Sequence, residues 1–230
     1  MVPHSSLITP HSSLRFTHVV FDLDGTLVDS RVDLAIAVNQ VRRSFGLPEL
    51  PIEVVTGYIG EGARMLVQRA LGPEHAERLD EGLRRFLADY GAHLLDHTRP
   101  YAGIAEVLVA LAQRGVAMSV LTNKPAAMSR VILEGLGLAA HFVALLGGDS
   151  LPTRKPDPAG VAHLQALTGT SAERMLMVGD SLIDLRTAAA AGVGFCGVTW
   201  GFATDALRTA APRWLIAQPH ELLTVVAGSS

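Results

Sequence analysis

From Tyr101 onward the chain alternates helix-like and strand-like segments, and that alternation restricts it to a few architectures. Residues 104–113 carry an apolar helical stripe that stops at Gly115, and residues 116–121 read as a buried strand. A helix with Pro125 at its first position, a strand at 142–146 and a helix at 158–167 follow. A strand at 175–178, a helix at 182–191 and a strand at 193–198 complete the series. Strands joined through helices can pair in parallel, and the helices then cover both faces of the sheet.

Upstream, only residues 17–21 share this strand character. Between Ser30 and Asp96 the pattern is helical throughout. Ser30 with Asp33 three residues later suggests a capping box. Leu34, Val38, Val41 and Phe45 then form an amphipathic stripe ending at Gly46 and Pro48. Two more helices are expected, at 62–71 and 73–95, the second with Leu79, Leu83, Phe86, Tyr90 and Leu94 on one face. The simplest organisation is an α/β core at 16–29 and 99–230, interrupted after its first strand by an all-helical insert at 30–98. Residues 1–15 repeat Pro-His-Ser-Ser-Leu and read as a mobile leader, with His4 and His11 solvated rather than metal-binding.

Composition excludes several function classes. With 230 residues and 49% apolar side chains, there is ample material for a packed core. The net charge is −3 and no basic block occurs, which disfavours nucleic acid and anionic membrane surfaces as partners. No apolar run is long enough to cross a bilayer, and no signal peptide is recognisable. The single cysteine, Cys196, excludes an internal disulfide, fits a reducing cytoplasm and reads as a buried structural thiol.

The chemistry is concentrated where strands end. Asp22 and Asp24 follow the strand 17–21, two residues apart, so both side chains can begin on one face before Gly25 lets the chain turn. Thr122-Asn123 follows the second core strand and opens a helix, whose free N–H groups favour an anion. Lys155 lies in the rigid Lys155-Pro156-Asp157-Pro158 approach to a helix. Asp180 and Asp184 lie one helical turn apart after the strand 175–178, where they can face one cation. Each residue alone has an ordinary reading as a turn, a cap or a solvated charge. Their recurrence at the carboxyl ends of strands, where open α/β sheets bind ligands, points to a divalent cation and a phosphate.

With these four segments the chain resembles the haloacid dehalogenase superfamily of hydrolases: Asp22-Leu23-Asp24-Gly25-Thr26, Thr122-Asn123, Lys155-Pro156, and Gly179-Asp180-Ser181 with Asp184 match its motifs. The resemblance spans about residues 16–228 and implies a Rossmann-like core with an inserted helical cap. It further implies that Asp22 is the nucleophile, that Asp24 is the general acid and base, and that Thr122 and Lys155 clamp the transferring group. Mg²⁺ would be held by Asp22, Asp24 through its carbonyl, and Asp180, with Asp184 supporting them. An aspartate at position 24 implies phosphate chemistry, because an alkoxide leaving group needs a proton and a halide does not.

The segments Asp29-Ser30, Tyr58-Ile59-Gly60-Glu61-Gly62-Ala63, Thr122-Asn123-Lys124-Pro125, Gly147-Gly148-Asp149 and Thr199-Trp200-Gly201 also resemble bacterial phosphoglycolate phosphatases. That implies hydrolysis of 2-phosphoglycolate to glycolate and phosphate. A sugar phosphate or N-acetylmuramate 6-phosphate is the alternative substrate, with a phosphomutase or a non-catalytic binding protein further off. Gly60, Glu61, Gly62 and Arg64 are the expected substrate contacts of the insert, with Asn123 and Lys155 from the core. Glu61 departs from the neutral residue common there and would repel an anion if it faced one. Monomer and homodimer both stay open.

Overall fold

A computed structural model describes residues 14–228, so most of the expected leader, with His4 and His11, lies outside the described residues. Eight strands and ten α-helices follow in order: β1 His18–Phe21, β2 Val28–Asp29, α1 Arg31–Ser44, α2 Ile52–Thr56, α3 Ala63–Leu71, α4 Leu79–Ala92, β3 Arg99–Pro100, α5 Ile104–Gln113 and β4 Ala117–Leu121. Then come α6 Ala126–Gly135, β5 Ala144–Leu146, α7 Ala159–Thr168, β6 Met175–Gly179, α8 Leu182–Ala191, β7 Gly194–Val198, α9 Thr204–Ala210, β8 Trp214–Ile216 and α10 Leu222–Ala227.

Six strands form one sheet in the order β5-β4-β1-β6-β7-β8, every pairing parallel. β1 and β6 are buried along their whole length, as an apolar strand covered on both faces must be. Alternation divides β1 between layers: Val19 and Phe21 join the larger core, while Val20 packs with Leu121, Val161, Leu164 and Met175. The register sets Phe21 opposite Val120 on one side and Val178 on the other. The residues just beyond these strands therefore emerge together at one edge.

Helices α1 to α4 lie between β2 and β3. Leu34, Val38 and Val41 of α1 are buried with Leu66, Val67 and Leu71 of α3 and with Phe86 and Tyr90 of α4, in the same apolar cluster that holds Val19 and Phe21 of β1. β2 and β3 pair antiparallel as a two-residue ribbon where the chain enters and leaves the insert. Among the described residues no helix is long and apolar enough to cross a membrane.

Four expectations need correction. Ser30 does precede α1, but its hydroxyl makes no cap and instead donates to Asp24 Oδ1 at 2.6 Å. Asp33 turns away to clamp the return strand: its carboxylate accepts from Thr98 N (2.8 Å), Thr98 Oγ1 (2.7 Å) and His97 N (3.0 Å). The segment expected as one helix from Pro73 begins as a 3-10 turn, Pro73–Arg78, kinked at His75. Pro125 is the residue before α6 rather than its first member, and β2, α2, β3, α9, β8 and α10 had no counterpart in the sequence reading.

Burial raises the pKa of Asp33, but the Thr98 and His97 hydrogen bonds outweigh this and leave it below the ordinary range. Its stabilising contribution is thus complete above that range and fades as pH falls through it. Asp33→Ala, which strands these donors, is expected to cost about 2–4 kcal/mol in urea unfolding at neutral pH. Asp33→Asn, which keeps one acceptor, should cost less, and equal losses would count against the clamp.

Candidate active site

Asp22 is the first residue past β1, and its N–H donates to Val178 O of β6 at 2.9 Å, continuing the sheet pairing beyond the strand. Its Oδ1 lies 2.8 Å from Lys155 Nζ, and the same ammonium lies 2.7 Å from Asp184 Oδ1. All three side chains are buried. Asp184 sits in the first turn of α8, where Ser181 and Asp184 form a true capping box. Its other oxygen accepts from Ser181 Oγ at 2.6 Å, so both oxygens are engaged.

Asp180 ends the β6 segment. Its Oδ2 accepts from Phe202 N at 2.6 Å. Gly25, with φ +82°, passes directly over this carboxylate, and a Cβ there would overlap it. Only glycine allows both that backbone angle and that approach.

Carboxylate oxygens of Asp22, Asp180 and Asp184 lie within 4.8 Å of one another. Three buried carboxylates face one ammonium, and all the donors are hard oxygens, a set that fits a divalent cation of the Mg²⁺, Ca²⁺ or Mn²⁺ type. The electrostatics agree. Burial, then the adjacent Asp184 and Asp22 carboxylates, push Asp180 up to about 8. Burial likewise raises Asp22, to about 6, against the opposing pull of Lys155. Burial works against the Lys155 ammonium, but Asp184 and Asp22 outweigh it and hold it charged above the ordinary lysine range.

Asp24 is held by Ser30 and by a residue that sequence reasoning left out of the site. Lys124 Nζ lies 2.8 and 2.9 Å from the two Asp24 oxygens and 4.7 Å from the centroid of the Tyr90 ring. Its signal was position: it stands two residues past Thr122 in a strand-end loop already singled out. Thr122 is buried and its Oγ1 accepts from Lys124 N at 3.2 Å. Asn123 Nδ2 donates to Gly60 O of the insert (2.9 Å) and to Lys155 O (3.0 Å), tying three segments together.

A cavity of about 50 Å³ lies between core and insert. Asp22, Asp24, Thr122, Asn123, Lys124 and Asp180 line it from the core, and Gly60 and Gly62 from the insert. Lys155 stands behind Asp22. Glu61 and Arg64 are not brought to the cavity. Glu61 pairs with Arg69, which removes the expected repulsion, and Arg64 pairs with Asp80 at 2.8 Å on an exposed face of the insert. Tyr90, read from sequence as a core residue, lines the cavity as well.

Fold and site together define an α/β hydrolytic enzyme with a helical insert over a carboxylate-rich strand edge. The model of the haloacid dehalogenase-like hydrolase family matches residues 19–198, and the chain belongs to that family. It is 38% identical over 216 residues to a phosphoglycolate phosphatase of Neisseria meningitidis, covering 89% of this chain and 91% of that one. It is 42% identical over 195 residues to a phosphoglycolate phosphatase of Rhodospirillum rubrum, covering 81% of each. The crystal structure of a predicted phosphoglycolate phosphatase from Haemophilus somnus superimposes with a TM-score of 0.87 at 34% identity, covering 92% of this chain and 98% of that one.

Asp180 binds a proton in the fold that the unfolded chain releases near pH 4, so without a cation the fold loses stability as pH rises from about 4 to about 8. A divalent cation displaces that proton. Its addition should therefore raise Tm more near pH 8 than near pH 6, and Asp180→Asn should remove most of the difference. Equal shifts at both pH values in the unaltered protein would refute this.

Proposed function

We propose that the protein hydrolyses small phosphate monoesters through an aspartyl-phosphate on Asp22, and that 2-phosphoglycolate is its substrate. The observation that carries this reading is the Asp22 carboxylate held at the mouth of β1 by Lys155, with Asp24 beside it in one cavity. The names of the relatives support the choice of ester.

The chemistry follows from the positions. A carboxylate oxygen of Asp22 forms a bond to phosphorus as the ester P–O bond breaks, and the departing alkoxide takes a proton from Asp24. Asp24, now a carboxylate, removes a proton from water as that water attacks the phosphoryl group, and Asp22 is released. Ser30 and Lys124 fix the orientation of Asp24 throughout. The Thr122 hydroxyl, which accepts from Lys124 N, keeps its own hydrogen for a phosphoryl oxygen. Lys155 offsets the charge of the nucleophile and of the transferring group.

Asp22, Asp180 and the Asp24 carbonyl would hold Mg²⁺, with Asp184 orienting Lys155 and the α8 terminus beside them. When bound, the cation would neutralise phosphoryl charge and orient the ester for in-line attack. The protein's partner is thus a small molecule, and a reducing cytoplasm suits its lone buried thiol.

Phosphate release from 2-phosphoglycolate, sugar phosphates and N-acetylmuramate 6-phosphate, measured with saturating Mg²⁺, tests the substrate. Asp22→Asn should lower kcat by a factor of at least about 10³. Unchanged release would remove Asp22 from the nucleophile's role. Asp24→Asn should lower kcat/KM for alkyl esters by about 10²–10⁴ yet lower it much less for p-nitrophenyl phosphate, whose leaving group needs no proton, while kcat falls for both because the shared water-attack step also uses Asp24. Equal loss of kcat/KM for both would argue against proton transfer from Asp24 to the leaving group.

A further inference from the structure

The insert's side of the cavity is apolar, formed by Leu34, Ile59, Leu66 and Phe86, with one polar exception. Tyr90 is buried there beside the Lys124 ammonium, yet its hydroxyl makes no hydrogen bond of acceptable geometry to that ammonium or to any other described group. An unpaired buried hydroxyl destabilises a fold, so its retention beside a cavity suggests a ligand atom as its partner.

Lys124 faces the same space. Its contacts with Asp24 use at most two of three ammonium donors. Lys124 is the one cation among the residues that line the cavity; Arg69 is committed to Glu61, Arg64 to Asp80, and Lys155 to Asp22 and Asp184, while the Arg154 guanidinium stands outside the lining, beside Gly62. Lys124 is thus the cation that a negative leaving group would meet.

We propose that the Tyr90 hydroxyl and the Lys124 ammonium together hold a carboxylate on the leaving group, selecting phosphate esters of small hydroxy acids over those of neutral alcohols. This rests on the phosphatase reading and deepens it. A carboxylate offers a charged acceptor to both groups, whereas a neutral hydroxymethyl group gives the remaining ammonium donor no charge-assisted bond. Because Tyr90 comes from α4 and Lys124 from the loop after β4, the ligand would also bridge insert and core.

The test compares kcat/KM for 2-phosphoglycolate and for 2-hydroxyethyl phosphate, its neutral counterpart, in the unaltered protein and in Tyr90→Phe. The unaltered protein should favour the carboxylate ester. In Tyr90→Phe the ratio of the two should fall about tenfold or more, mainly through KM for 2-phosphoglycolate. Tm should change little, because the hydroxyl's neighbour in the ligand-free fold, Lys124, is already held by both Asp24 oxygens. An unchanged ratio, or a Tm several degrees lower, overturns the assignment while leaving the phosphatase reading standing. Absence of preference in the unaltered protein also overturns it. Failure to hydrolyse any phosphate ester overturns the phosphatase reading itself, and this inference with it.

Discussion

The buried ammonium of Lys155, shared between Asp22 and Asp184, is the interaction on which the rest of the site depends. Both carboxylates are out of water, and burial of such charges is tolerated only with close opposite charge and saturated hydrogen bonding. Removing the ammonium would leave two like charges facing each other beside Asp180. The register of the sheet makes the arrangement possible, because β1 lies between β4 and β6 and their carboxyl ends are level. Residues more than a hundred positions apart in the chain thus meet at hydrogen-bond distance.

From this centre a chain of polar contacts runs outward. Lys155 O accepts from Asn123, Asn123 also donates to Gly60 O, and Gly60 belongs to the loop that leads into α3. The loop after β4 and the loop leading into α3 therefore share one amide side chain. A displacement of the insert would break the hydrogen bond from Asn123 to Gly60, one residue before the Lys124 that holds Asp24. The same carboxylate-rich centre that disfavours its own ionisation is suited to receive a cation together with a phosphate, whose charges offset one another.

Much of this was legible in the sequence because strong periodicity and long-range consistency coincide. β1, β6 and α1 are read directly from unbroken apolar runs or a full helical stripe. The elements that escaped are short: the two-residue ribbon of β2 and β3, the three-residue β8, and the helices α2, α9 and α10 of five to seven residues, each at most two turns of pattern. Ser30 and Asp33 show a different limit. Their spacing suits a cap, but tertiary partners at Asp24, His97 and Thr98 compete for the same side chains and win. Tyr90 sits on the apolar face of α4 as its spacing demands, and nothing in one dimension tells that this face ends at a cavity. Arg64 and Glu61 were placed by their nearness to a glycine loop, whereas neighbours along the helices, Asp80 and Arg69, claim their charges.

The ribbon formed by β2 and β3 has a consequence for how such proteins diversify. Because the outgoing and returning chains are paired, the two ends of the insert are fixed about one strand spacing apart, near 5 Å. A helical unit whose termini lie that close meets the sheet's entry and exit geometry at Asp29 and Arg99, and what it must then reproduce are the contacts of Gly60 with Asn123 and of Asp33 with Thr98.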